Sequence, residues 1–122
     1  MTPEHFEELV VQAIEDLPAV FLDALENVAI VVEDWPDRQA LDSVGARHPT
    51  DLLGLYHGIP LTERTSGYNL VMPDKISIYR RPILMRCRSD DEIRAMVKRV
   101  VRHEIAHHFG IDDDRLMEIG AY

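Results

Sequence analysis

The side chains best suited to act together lie in one tract, His103-Glu104-Ile105-Ala106-His107-His108-Phe109-Gly110-Ile111-Asp112-Asp113, which reads HExxHxxGxxD. On a helix, positions 103 and 107 stand about 40° apart around the axis and one turn apart along it, so two imidazoles can reach one cation. Glu104 lies about 100° from His103. That takes it off the cation but leaves it in reach of a water held there, where a general base is needed. A catalytic zinc takes three protein ligands and leaves a fourth position open, and a helix continuing past His107 would carry later residues away from it. Gly110 can adopt positive φ and end the helix, after which Asp113 returns with a carboxylate oxygen as third ligand. The His103/His107/Asp113 set suits zinc best, with iron, cobalt and nickel as other occupants. HExxH alone occurs by chance in roughly a few per thousand chains of this length, and adding Gly and Asp lowers that by about two orders of magnitude. The plain alternative makes His103 and His107 helix-face histidines bonded to neighbours and puts Glu104 in a salt bridge.

A helix must present these groups, and the sequence supplies its start. Ser89-Asp90-Asp91-Glu92 is a capping box, in which the Ser89 hydroxyl accepts from the N–H of residue 92 and Glu92 reaches back to that of residue 89. Ile93, Met96, Val97, Val100 and Val101 follow with helical period and Gly110 stops the run. Met96 and Val100 fall within about 60° of His103, so the ligands border the buried face, and a cation there sits between helix and sheet, sheltered from bulk water.

The remaining elements point to an α+β fold with a small mixed sheet. Thr2 caps and Pro3 opens a helix carrying Phe6, Leu9, Val10, Ala13, Ile14 and Leu17, which ends near Pro18; a shorter turn spans 18–25. Val28 to Val32 is a β-branched run expected to be covered on both faces as the central or near-central strand. Residues 37–49 read as a loop or a short helix. A second strand is expected over 52–57, then turn chemistry from Gly58 to Gly67. Residues 75–81 alternate polar and apolar, with Ile76 and Ile78 on one face and Ser77 and Tyr79 on the other, as in a half-exposed edge strand that Pro82 limits. A last short helix is expected over 113–119.

The chain has 122 residues, a formal charge of -9 and 8 aromatic residues among 46% apolar ones. This describes one domain, 1–122, with a small aliphatic core. The acidic balance argues against nucleic acid or an anionic membrane as partner. A single cysteine, Cys87, rules out an internal disulfide, and the acidic N-terminal stretch is unlike an export signal, so the expected location is cytoplasmic. Residues 1–60 carry 12 acidic and 2 basic side chains, and residues 61–122 carry 10 and 11. The basic cluster from Lys75 to Arg102 is read as a solvated face that pairs with the acidic half.

On these residues the chain resembles the minimal zincin-like metallopeptidase family of short bacterial proteins, whose HExxHHFGxxD pattern is matched from His103 to Leu116. Gly58 to Arg64 also looks like a family segment, and the likeness extends loosely from Leu9 to Leu116. The resemblance implies a small sheet on the active-site helix, zinc held by His103, His107 and Asp113, and Glu104 as catalytic acid/base. The Asp ligand is also similar to the snapalysin type of metzincin; Met117, four residues on, is read as helix packing rather than a Met-turn. The expected activity is zinc-dependent hydrolysis of peptide bonds by a metal-activated water, with a peptide or protein as substrate. The rival reading is a non-catalytic zinc-binding regulatory or interaction module. His108, about 140° from His103, is read as structural. His57, Tyr68 and Tyr79 are candidates for oxyanion stabilisation, Tyr79 with the added interest that an edge strand can align a peptide. Cys87 is read as a packed thiol.

Overall fold

The computed structural model describes residues 1–58 and 74–108, with the helical backbone alone for His107 and His108. The chain opens with α1, Pro3–Glu15, capped by the Thr2 hydroxyl, which accepts from the His5 N–H at 3.1 Å. Its apolar stripe, Phe6, Leu9, Val10 and Ala13, is buried as its spacing predicts. Helix α2, Ala19–Ala24, forms the short turn that leads to strand β1, Val28–Glu33. Within the stretch left open between loop and helix stands α3, Arg38–Val44. The Asp37 carboxylate caps it by accepting from the Ala40 N–H at 2.8 Å, and Gly45 ends it in the left-handed region at φ 71°. A 3-10 turn at Pro49–Asp51 leads into β2, Gly54–His57. Strand β3, Asp74–Tyr79, runs directly into the short helix α4, Arg80–Leu84, which holds Pro82 in its first turn. The long helix α5, Asp90–His108, starts as the capping box requires, with the Ser89 hydroxyl accepting from the Glu92 N–H at 3.1 Å.

Among the described residues three strands order β1-β3-β2, with β1 parallel and β2 antiparallel to β3. This corrects two expectations. Among the described strands, that of Val28 to Val32 is an outer one, and the strand read as a half-exposed edge lies between the other two. The alternation in β3 does separate two chemistries, but both faces are buried. Ile76 and Ile78 join the apolar core with α1 and α5, while Ser77 is fully buried on the other face and Tyr79 nearly so. Ser77 can be polar there because its neighbours satisfy it. Its hydroxyl donates to Glu33 Oε2 of β1 at 2.7 Å and accepts from His57 Nε2 of β2 at 3.0 Å, one hydrogen bond to each flanking strand.

The core joins Phe6, Leu9 and Val10 of α1 to Ile93, Val97, Val101 and Ile105 of α5 and to β3. Polar contacts fasten the rim: His5 to Asp90 at 2.9 Å and Lys98 to Asp16 at 2.9 Å. The acidic first half and the basic second half pair again where Arg80, buried at the end of β3, donates to Asp34 at 2.9 Å. No described helix is long and apolar enough to cross a membrane. The expected helix end at Gly110 and the final helix over 113–119 lie outside the described residues.

Candidate active site

Helix α5 crosses the outer strand β2 at one residue without a side chain. A Cβ at Gly54 would collide with Cγ1 of Val100 and come within 3.0 Å of the Ser77 carbonyl oxygen. Glycine therefore sets how closely the helix approaches the sheet edge. One turn along α5 from Val100, Glu104 faces the same strand.

Glu104 is 6% exposed, a buried carboxylate, and its Oε1 accepts from the Tyr56 N–H at 2.7 Å. The Leu53 carbonyl receives the Tyr79 N–H at 3.0 Å, so the alternation of the antiparallel ladder turns the Tyr56 N–H to the outer edge of β2. A charge-assisted bond of this kind offsets part of the cost of burying the carboxylate and fixes its direction. His103, half-buried, opens with Glu104 onto a cleft of about 550 Å3. Asp51 to Gly54 form one wall, Met96, Arg99 and Val100 of α5 the other, and Arg86 lies after α4. That volume falls in the range of small-ligand and peptide-side-chain sites.

Of the four residues expected to carry the chemistry, the structure therefore brings His103 and Glu104 together at one cleft. The α5 backbone runs unbroken through His107, so positions 103 and 107 keep their one-turn spacing. The His107 side chain and Asp113 lie outside the described residues, and among the described residues no three His, Cys, Asp or Glu side chains form a metal-holding group. The donors present fit zinc in kind: an accessible imidazole on a continuous helix, with a buried, oriented carboxylate next to it.

His57 and Tyr79 do not line this cleft. Ladder register puts both on the Ser77 face of the sheet, whereas Gly54 and Tyr56 share the Ile76 and Ile78 face that meets α5. Tyr79 also sits in the central strand, so it cannot align a substrate at an edge; burial pushes its phenol above the usual range. Burial, aided by Lys75, lowers the His57 imidazole, while Glu33 and Asp37 pull it up. Cys87 packs against the core with its thiol raised chiefly by burial, as expected of a packed side chain. Tyr68, Met117 and the His108 side chain lie outside the described residues. The sequence reading missed the Tyr56 N–H as the partner of Glu104, since a backbone donor has no residue-type signal. It also passed over Gly54, whose place inside a strand pattern is a sign of close approach.

The sequence matches the family model for zincin-like metallopeptidases over residues 25–121. The chain belongs to the zincin-like metallopeptidase family. Among solved structures it is similar to a conserved hypothetical protein from Thermo thermophilus, at 24% identity and a TM-score of 0.55, over 89% of this chain and 94% of that one. That likeness concerns the fold. A search of curated proteins gives no match. Zincin-like metallopeptidases generally use zinc, which agrees in kind with the imidazole and carboxylate at the cleft.

Proposed function

We propose that this zincin-like protein is a zinc-dependent peptidase in which His103, His107 and Asp113 hold the metal and Glu104 is the general base. The observation that carries the reading is the Glu104 carboxylate, buried beside His103 at the cleft and aimed by the Tyr56 N–H of β2. Bound zinc would supply Lewis-acid polarisation of the scissile carbonyl and acidify the attacking water. Glu104 accepts the proton of that water and returns it to the leaving amine nitrogen, which closes the proton balance of hydrolysis. The Tyr56 N–H keeps one carboxylate oxygen turned to the sheet, which limits how the group can rotate between the two transfers.

The test is a pair of variants in protein made without a histidine tag. Glu104→Gln keeps about one zinc per chain by elemental analysis and loses hydrolysis of a peptide library by a factor of about a hundred or more. Asp113→Ala loses or weakens the metal. Equal turnover by Glu104→Gln would remove the residue from the mechanism. Retained zinc with no turnover by the unaltered protein would favour the non-catalytic module instead.

A further inference from the structure

Four of the six basic side chains on α4 and α5 show how differently such groups are met. Lys98 pairs with Asp16, Arg94 pairs with Asp91 and donates to Gln12, and Arg80 is buried against Asp34. Arg99 makes no ion pair or hydrogen bond with any described residue, and it lines the cleft that holds His103 and Glu104. A second cation in that lining, Arg86, donates to the neutral Pro82 carbonyl at 3.1 Å and has no carboxylate partner among the described residues. So two cations without a carboxylate partner among the described residues, Arg99 and Arg86, lie in the cleft, while Lys98, Arg94 and Arg80 lie outside its lining.

We propose that Arg99, with Arg86 as a second cation, binds a carboxylate of the peptide substrate, so that the cleft selects peptides with an acidic side chain or a free C-terminus close to the scissile bond. This rests on the peptidase reading above. Arg99 precedes His103 by four residues, which puts it on the same side of α5 about 6 Å earlier along the axis. An extended peptide advances about 3.3 Å per residue, so a carboxylate one or two residues from the bond at His103 and Glu104 comes within reach of the guanidinium. Its planar fork of N–H donors matches a carboxylate bidentately. On the opposite wall the Asp51 carboxylate repels the same group and so directs it to the helix side. The net charge of -9 does not prevent this, because at physiological salt charges farther than about 8 Å are largely screened and contact at the cleft decides.

The experiment measures binding and cleavage separately. Fluorescently labelled peptides, matched except for Glu against Gln beside the scissile position or a free C-terminus against an amide, are titrated into zinc-loaded Glu104→Gln protein and followed by anisotropy. The same peptides are offered to the unaltered enzyme for kcat/KM. The expected result is about tenfold tighter binding of one carboxylate form. Arg99→Ala brings the preference close to one, Arg99→Lys retains part of it, and raising the salt reduces it. The Glu/Gln arm and the acid/amide arm tell a side chain from a terminus. Arg99 is exposed, so its replacement leaves the fold intact, which circular dichroism checks. Equal binding of charged and neutral peptides, a preference that survives Arg99→Ala, or no binding of any peptide up to millimolar concentration overturns the proposal. An Arg99-dependent preference without cleavage by the unaltered enzyme would support the carboxylate site and reject the peptidase.

Discussion

The two faces of β3 are both buried, yet different physics holds them. On the α5 side, Ile76 and Ile78 are at 0% exposure among aliphatic neighbours, and the contribution there scales with apolar area and close packing. On the other side, Ser77 is equally buried but held by directed bonds to Glu33 and His57, which tie three strands through one hydroxyl. A face held by area degrades in proportion to what is removed. A face held by a relay fails at one atom and is sensitive to pH.

The largest expected effect comes from the apolar face. Ile78→Ala should cost about 2–5 kcal/mol in denaturant unfolding, because a fully buried branched side chain leaves a cavity between β3 and α5. A loss below about 1 kcal/mol would mean that the helix relaxes onto the sheet. Ser77→Ala on the polar face should cost less, about 1–2 kcal/mol, since the His57 N–H loses its acceptor while Glu33 remains open to water. If the two variants prove equal, the relay matters as much as the core.

The smallest effect separates the faces by pH. The His57 imidazole is held below its ordinary value of 6.5, chiefly by burial. As pH falls, the unfolded chain therefore takes up the proton first, so below 6.5 it binds more protons than the folded one and stability declines. Above that value this group contributes no pH dependence. His57→Gln should flatten the slope just below pH 6.5 without changing it between about 7.5 and 9, measured as urea midpoints across the range. An unchanged slope would show that His57 titrates as an ordinary surface histidine.

The long described helices and the meeting of His103 with Glu104 could be read in the sequence because their signals are local. Thr2-Pro3, Ser89 with Glu92, and the period of Phe6, Leu9, Val10 and Ala13 each lie within a turn or two of what they specify. The order of the strands could not be read the same way. Ser77 and Tyr79 look solvent-facing unless it is known that Glu33 and His57 arrive from two other strands, and that information lies 44 and 20 residues away. The same limit applies at the cleft. His103 and Glu104 announce themselves by spacing, whereas the bond from the Tyr56 N–H and the place of Arg99 in the same cleft exist only once the chain has come together. Asp37 and Gly45 cap α3, but seven residues carry too little periodicity to separate a helix from a loop.

The packing of α1 along α5 also governs when the site can exist. His5 meets Asp90 across 85 positions and Asp16 meets Lys98 across 82, while the parallel partner of Val28 is Asp74. Such distant pairings are slow to close, because loop entropy is lost before the contacts compensate for it. The apolar stripe of α5 has no lasting cover until α1 and β3 are both in place. The cleft should therefore form at the end of folding, so that whatever binds beside His103 and Glu104 meets it only after the final cooperative step and not in a partly folded chain.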